Sequence, residues 1–343
     1  MVTFPYNTTD YAFTLDPVFI NFASSNQSYF TVAITIKYYE FYASTEKTTV
    51  LNYKIPLFNG ASKWHVGDII HRNLANLTAT FTNGFQVKTA LVSFAISELS
   101  LTDNSVVTST TLTDVQFIAG FKPKLLASNL ALLHSNSNYC RVTSSGNCTV
   151  NFLLTPGNHT LKVYNNTTEI TSETITATAL DTIFAKTVSI DTLEVAPGDV
   201  LKFEIQGTTI KKEFIVFPDT EFSNTLAYIN NHKLVSTLEL TGGYSFPNNY
   251  NQITHKYKRN LLEVLEIVEV LDERFVKINS GYILKSQIEV IDEIFRTQKV
   301  YLKNIEGKDF ELVPVSKKMV GFNSDNYTYS YDLEFRINKR TYA

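Results

Sequence analysis

The stretch Tyr29-Phe-Thr-Val-Ala-Ile-Thr-Ile-Lys-Tyr-Tyr-Glu-Phe-Tyr42 indicates the fold class of this chain. Its first half alternates between two sides of an extended backbone. One side carries Phe30, Val32, Ile34 and Ile36, and the other carries Thr31, Ala33, Thr35 and Lys37. A period of two is typical of a β-strand that buries one face.

The composition extends this prediction to the whole chain. The 343 residues include 24 Phe and 19 Tyr, with 44% hydrophobic and 18% charged residues. Such residues favour strands, so we expect a mainly β protein. The length exceeds what one hydrophobic core usually serves, which predicts several domains.

Charge and targeting signals narrow the classes of function. The formal net charge of −3 provides no basic excess, so we expect no sequence-specific binding of nucleic acid. The N-terminus has no cationic start followed by an apolar run, which predicts synthesis in a cytoplasm without an export signal. The apolar stretches are too short to span a bilayer, so no membrane partner is expected.

The order of strand and turn signals predicts three domains. Residues 1–120 are expected to form an N-terminal β domain, with a type I′ hairpin turn at Asn83-Gly84. Residues 121–215 contain about seven short strand patterns separated by turn signals, the pattern of an immunoglobulin-like β-sandwich. Residues 216–343 are richer in Glu and Lys and predict an α+β domain. Its helix follows Ser286, and Glu289 completes capping-box spacing.

The segment 261–271 is ambiguous between helix and strand. Glu263, Glu266 and Glu269 could line one helical face, whereas the β-branched residues between them suit a strand. We expect a strand. A solvated outer face is the ordinary role of glutamates in such a row.

Two cysteines, Cys140 and Cys148, flank a Ser-Ser-Gly turn. The spacing predicts two short strands forming a hairpin, across which the two sulfurs could face each other. A disulfide and two reduced thiols are both consistent with this spacing. The lack of an export signal favours reduced thiols at synthesis.

No set of residues predicts catalysis. The six histidines are scattered, no glycine-rich loop precedes a helix, and no Gly-x-Ser-x-Gly motif is present. Adjacent carboxylates are usually solvated. We therefore expect a protein that is not an enzyme and that needs no cofactor or metal.

Three tyrosines near the C-terminus, Tyr327, Tyr329 and Tyr331, stand two residues apart. A strand would place their rings on one face. Aromatic rings of this kind can form a core, a subunit interface or a platform for sugar rings. The sequence leaves these three interpretations open.

Several C-terminal segments carry a family resemblance. They are Phe217-Pro-Asp-Thr-Glu-Phe-Ser-Asn-Thr-Leu-Ala-Tyr-Ile-Asn, Leu238-Glu-Leu-Thr-Gly-Gly-Tyr, Lys277-Ile-Asn-Ser-Gly-Tyr-Ile-Leu, Pro314-Val-Ser-Lys-Lys and Tyr331-Asp-Leu-Glu-Phe-Arg-Ile-Asn. Together they resemble structural tail proteins of bacteriophages that infect Bacteroidetes, including crAss-like phages.

The resemblance implies a subunit of the virion tail, in a ring or hub of the tail barrel. Such a subunit would contact copies of itself and neighbouring tail proteins, with DNA passing through the channel without sequence-specific binding. Glu263, Glu266 and Glu269 would then be candidates for a lumen-facing acidic wall that repels phosphate groups, and a solvated outer face is the alternative. The C-terminal domain would form the ring laterally, and the β domains would dock adjacent layers. A carbohydrate- or receptor-binding module at the tail tip is the alternative.

Overall fold

The computed structural model describes residues 1–6, 10–41, 44–75, 77, 83–123, 126–127, 130–134, 139–259, 262–284, 287–297, 299–305, 308–315 and 328–342. Over these residues the protein is mainly β, arranged in several sheets, as the composition predicts.

The first unit is a pair of sheets with one helix. Its elements are β1 (Val2–Thr3), β2 (Tyr11–Phe13), β3 (Phe19–Ala23), β4 (Ser28–Tyr38), β5 (Lys47–Pro56), β6 (Ala61–His65), α1 (Gly67–Ala75), β7 (Gly84–Phe85), β8 (Thr89–Ser100) and β9 (Val106–Ile118). A five-stranded sheet has the order β2-β9-β8-β4-β5, and β1-β3-β6 form a second sheet. The predicted apolar face of β4 is buried, with Phe30, Val32, Ile34 and Ile36 each at most 1% exposed.

The second unit is a β-sandwich. Its elements are β10 (Leu126–Ala127), β11 (Leu130–Leu132), β12 (Tyr139–Thr143), β13 (Asn147–Leu153), β14 (Gly157–Asn165), β15 (Thr168–Ala177), β16 (Ile183–Ser189), a 3-10 turn at Ile190–Thr192, β17 (Val200–Ile205) and β18 (Lys211–Phe217). The sheets β10-β11-β13-β16-β7 and β12-β18-β17-β14-β15 share one core. The predicted immunoglobulin-like sandwich is confirmed as an architecture.

The hairpin expected at Asn83-Gly84 remains a prediction, because most of its first strand at 77–82 lies outside the described residues. Gly84 has a positive φ of 121°. Gly84 and Phe85 pair with Ala185 and Phe184 of β16. The first part of the chain therefore contributes a strand to the sandwich.

The third unit combines a large antiparallel sheet with one helix. Its elements are β19 (Asn224–Ile229), β20 (Val235–Leu240), β21 (Tyr244–Ser245), β22 (Asn248–Arg259), β23 (Leu262–Asn279), β24 (Ile283–Leu284), α2 (Ile288–Arg296), β25 (Val300–Ile305), β26 (Lys308–Pro314), β27 (Thr328–Tyr329) and β28 (Asp332–Tyr342). The sheet order is β20-β19-β25-β26-β28-β23-β21, and β22 pairs with β23 off this path.

The helix α2 packs on this sheet through Val290, Ile291 and Ile294, which are at most 3% exposed. It lies where the sequence predicts it, although the predicted cap Ser286 falls outside the described residues. The predicted domain boundaries remain predictions, and β18 runs across the one at residue 215.

Candidate assembly interface

The three units meet in a small apolar cluster, which we call the junction. Its buried members are Tyr11, Phe13, Ile118, Ala131, Leu133, Leu153, Ile183 and Leu234. They come from all three parts of the chain. Tyr11 also donates a hydrogen bond from its hydroxyl to the carbonyl of Leu154 at 2.9 Å. An apolar contact of this kind restricts the relative motion that separate domains otherwise show.

A buried polar cluster, the seam, joins the sandwich to the third unit. Arg141 on β12 donates from its guanidinium to the carbonyls of Ser280, Tyr282 and, at 3.2 Å, Glu239. The Arg141 side chain thereby fixes one end of the sandwich to strand β20 and to the loop at 280–282 of the neighbouring unit.

Glu239 on β20 completes the seam from the other side. Its carboxylate accepts hydrogen bonds from Thr143 and from the Asn147 amide, both at 3.2 Å, and from Thr225. Burial raises the pKa of the Glu239 carboxyl, while these hydrogen bonds and the charge of Arg141 act in the opposite direction. Burial likewise lowers the pKa of Arg141, and Glu239 opposes that change.

A second set of hydrogen bonds extends the seam toward the junction. The Asn151 amide donates to Nε2 of His134 at 2.8 Å, and the Asn151 side chain donates to the Val235 carbonyl at 2.8 Å. Asn230 donates to the Leu133 carbonyl at 2.9 Å. Buried polar groups cost free energy unless they are paired, so these bonds specify one arrangement of the two units.

The first unit is tied to the sandwich by the loop at 179–182. Gln116 on β9 donates to the Ala179 carbonyl at 2.5 Å and to Thr182 at 3.1 Å, and Thr89 on β8 donates to the Leu180 carbonyl. The side-chain amide of Gln116 is therefore satisfied by a loop of the neighbouring unit.

Strands β22 and β23 form a long two-stranded hairpin. Residues 248–259 pair with residues 262–274, with a register shift between Ile253 and Thr254. Among the described residues, β22 pairs with no other strand, and β23 joins the main sheet only through its later part. We call residues 248–274 the arm.

The three predicted acidic residues lie on this arm. The strand expected at 261–271 is confirmed, beginning at Leu262, so the glutamates do not form a helical row. The register places Glu263 opposite Lys258, Glu266 opposite His255 and Glu269 opposite Ile253. Their role as a lumen-facing wall remains a prediction.

Two of the three predicted tyrosines stack on each other. The rings of Tyr329 and Tyr331 lie 6.3 Å apart and 8° from parallel, while Tyr327 lies outside the described residues. Tyr329 is buried in the core of the third unit, and Tyr331 packs against the same core. This packing favours the core interpretation, and an interface role remains a prediction.

Cys140 and Cys148 are free thiols in different sheets of the sandwich. The expected hairpin between their strands is wrong, because β12 pairs with β18 in parallel and β13 pairs with β16. Both side chains pack in the sandwich core. Burial raises the pKa of the Cys148 thiol well above its usual range, as do the charge of Glu239 and the neighbouring Cys140.

Sequence reasoning missed Arg141, Glu239 and the junction. Glu239 stands between Leu238 and Leu240 in an ordinary alternating strand, where a charged residue normally indicates a solvent face.

Among the described residues, no group of three or more His, Cys, Asp or Glu side chains is placed to hold a metal ion. No helix within that part of the chain has both the length and the apolar character to cross a membrane.

Comparisons with known proteins add little to this geometry. No protein-family model matches the chain, and no curated protein matches it. Among solved structures, the chain is similar to "Crystal structure of CBD12 from CALX1.2", at 10% identity over 60% of this chain and 79% of that chain, with a TM-score of 0.17. A likeness with so low a TM-score carries no argument here.

Proposed function

We propose that the protein is a structural subunit of a bacteriophage virion tail, in a ring or hub of the tail barrel. It is made in the cytoplasm of the host bacterium and assembles in many copies around a channel for DNA. Its partners are copies of itself and neighbouring tail proteins. It carries out no catalytic step.

The observation that carries this proposal is the arm. An isolated two-stranded hairpin is at best marginally stable in water, because it lacks a sheet or helix to cover it. The arm continues for 12 residues on β22 with no further strand beside it among the described residues. A hairpin of this length is stabilised when another chain supplies the missing contacts.

The sequence of the arm supports the same conclusion. Between Leu262 and Leu271, apolar residues occupy both odd and even positions of β23. A strand with one solvated face has polar residues at every second position, and this stretch of sequence does not follow that pattern. A hairpin that stays in solvent on one side usually has one polar face instead.

The junction and the seam support a mechanical role. They fix the three units against each other through apolar packing and buried hydrogen bonds. A subunit that holds its place in a ring needs surfaces with a constant relative orientation. The resemblance of the C-terminal segments to phage tail proteins gives this mechanical role its biological setting.

The alternative is a carbohydrate- or receptor-binding module at the tail tip, and one exposed aromatic group favours it. Tyr282 is 75% exposed and Phe222 is 42% exposed. Their loops approach each other at Thr241, whose carbonyl accepts a hydrogen bond from Thr220 and whose hydroxyl lies beside Gly281. Exposed rings of this type could stack on sugars.

Two measurements separate the two candidates. Gold-labelled antibodies against the protein, applied to phage particles, are expected to mark the tail at a fixed level in electron micrographs. A glycan array with the purified protein is expected to show no specific binding. Saturable glycan binding that Tyr282→Ala abolishes, together with labelling at the distal tip alone, would replace the ring assignment with the alternative.

A further inference from the structure

The five-stranded sheet of the first unit has two open edges. Its order is β2-β9-β8-β4-β5, and β2 covers only the last three residues of β9, from Gln116 to Ile118. The preceding segment, residues 106–113, pairs with β8 on one side and with no described strand on the other. At the far side of the sheet, β5 pairs with β4 alone among the described strands.

The open segment of β9 lacks two of the features that normally protect a strand edge, and its register with β8 shifts near each of its ends. It reads Val106-Val-Thr-Ser-Thr-Thr-Leu-Thr113, with no charge and no proline. All of its residues are exposed except Leu112, which is half-buried; Val106 is 62% exposed and Val107 is 46% exposed. Natural proteins usually protect such an edge with lysine, proline or a covering segment, because an unprotected edge pairs with other strands.

The edge strand β15 differs from β9 because it carries charged residues that protect it. Strand β15 is the last strand of its sheet and is also largely exposed. It carries Glu169 and Glu173, which form ion pairs with Lys162 and Lys186 at 2.8 and 2.6 Å. Charged residues of this kind discourage pairing with another chain, and residues 106–113 have none.

We propose that residues 106–113 of one copy pair with β5 of the next copy, which continues the five-stranded sheet across the subunit boundary. This inference rests on the proposed multi-copy assembly and names one of its lateral contacts. It places that contact in the first unit, in addition to any contact made by the arm.

The directions and the lengths of β9 and β5 are compatible with this pairing. The strands β9, β8, β4 and β5 alternate in direction, so β5 runs antiparallel to β9. A second copy in the same orientation therefore presents β5 to β9 as an antiparallel neighbour, with hydrogen-bonding groups available on both edges. The open segment has eight residues and β5 has ten.

Charge also fits. Strand β5 carries Lys47 and Lys54 and no acidic residue, and Lys47 pairs with Glu40 of its own copy at 2.6 Å. Lysine on an edge deters pairing with an unmatched strand, whereas the open segment of β9 is flanked by Asp103 and Asp114, which supply the opposite charge. Val50 of β5 is 56% exposed, which leaves an apolar group on that edge for a partner strand to cover. The two edges are different surfaces, so the contact is heterologous and propagates into a ring.

Cross-linking of assembled protein tests the pairing. Two variants, Thr110→Cys and Val50→Cys, each carry Cys140→Ala to remove the partly exposed native thiol, and one carries a mass tag. The variants are mixed, allowed to assemble and treated with a short bis-maleimide, which tolerates small differences in register. We expect the cross-link between the two variants to exceed self-cross-linking of either one several-fold.

The matched control replaces Val50→Cys with Thr171→Cys on β15, an exposed edge that carries glutamates. It is expected to give no cross-link with Thr110→Cys above background. Cross-linking of Thr110→Cys to itself alone would overturn the proposal in favour of a two-fold contact between β9 edges. Assembled protein without the Thr110–Val50 cross-link would overturn this inference and leave the proposed function standing, whereas protein that stays monomeric at every concentration would contradict both.

Discussion

Gly146 lies against the carboxylate of Glu239 inside the seam. A Cβ at this position would stand 2.7 Å from Cδ of Glu239 and 2.9 Å from both carboxylate oxygens. The carboxylate cannot yield easily, because it is 2% exposed as a residue and held by Thr143, Thr225 and Asn147. The close approach of sandwich and third unit therefore requires a glycine here.

We predict that Gly146→Ala lowers the free energy of unfolding by about 1–3 kcal/mol, the usual effect of overpacking a buried site. The measurement is the midpoint of urea unfolding. Gly243→Ala is the matched control, because a Cβ there meets no heavy atom within 4 Å. The control is expected to stay within about 0.5 kcal/mol of the wild type, and equal midpoints for both variants would contradict the description of the seam.

Buried histidines predict a dependence of stability on pH. Burial lowers the pKa of His232 to about 4 and holds the pKa of His134 well below its ordinary value. The unfolded chain therefore binds more protons than the folded protein between the ordinary histidine pKa and the lowered one. The stabilisation that these two neutral histidines contribute is fully present above pH 6.5 and is lost as the pH falls toward 4. Glu239 and Glu293 act with the opposite sign, because burial raises the pKa of each.

We predict that His232→Asn reduces this acid sensitivity. Between pH 7 and pH 4 the wild type should lose up to about 3 kcal/mol more stability than the variant, from a pKa difference of about 2.5 units. Urea unfolding of both proteins across this pH range measures the difference, and the other titrating groups are common to both. Identical pH profiles would show that His232 is not held neutral by burial.

At the residue scale, the sequence predicted packing better than polar contacts. The apolar face of β4 was predicted residue by residue, because alternation reports burial directly. Glu239 alternates like a surface residue, yet it lies in the seam because a second unit covers that strand. The strands of Cys140 and Cys148 looked like a hairpin, but each strand joins a different sheet of the sandwich, which a local spacing does not encode.

At the scale of elements, most strands and the helix α2 follow from local pattern. Two strands do not: β7 pairs with the distant strand β16, and β22 has a polar sequence without clear alternation. Of the two strands of the arm, the sequence predicts only β23, through the strand expected at 261–271. The structure adds its partner strand β22 and the register between the two strands.

The register of the arm predicts a charge effect. Lys258 and Glu263 occupy opposed positions, where opposite charges stabilise a pair and like charges destabilise it. Lys258→Glu should weaken the tip of the arm by about 0.2–1 kcal/mol, and adding Glu263→Lys should restore it. Hydrogen exchange of the arm amides measures this stability. Equal exchange in the single and double variants would show that the register differs from the one described.

At the scale of the whole molecule, the three units contact each other at the junction and the seam and leave two groups of strands without a neighbour among the described residues. Within that part of the chain, the arm has no covering strand, and the sheet of the first unit has open edges at β5 and β9. The junction and the seam keep these features in a fixed relation. Composition predicts the mainly β class, and the spacing of strand and turn signals predicts the sandwich. Neither predicts how the units contact each other, because those contacts join residues far apart in the chain.

The most direct test of this account is sedimentation velocity of the wild type and an arm-shortened variant from low to high micromolar concentration. The variant retains Asn248–Tyr250 and Asp272–Arg274 and closes them with an Asn-Gly turn. We predict that the wild type forms a discrete larger species, while the variant, which keeps the contact between β9 and β5 but lacks the arm, remains folded and needs a clearly higher concentration to assemble. A wild type that remains monomeric throughout, or a variant that assembles equally well, would contradict the claim that the arm joins one copy to another.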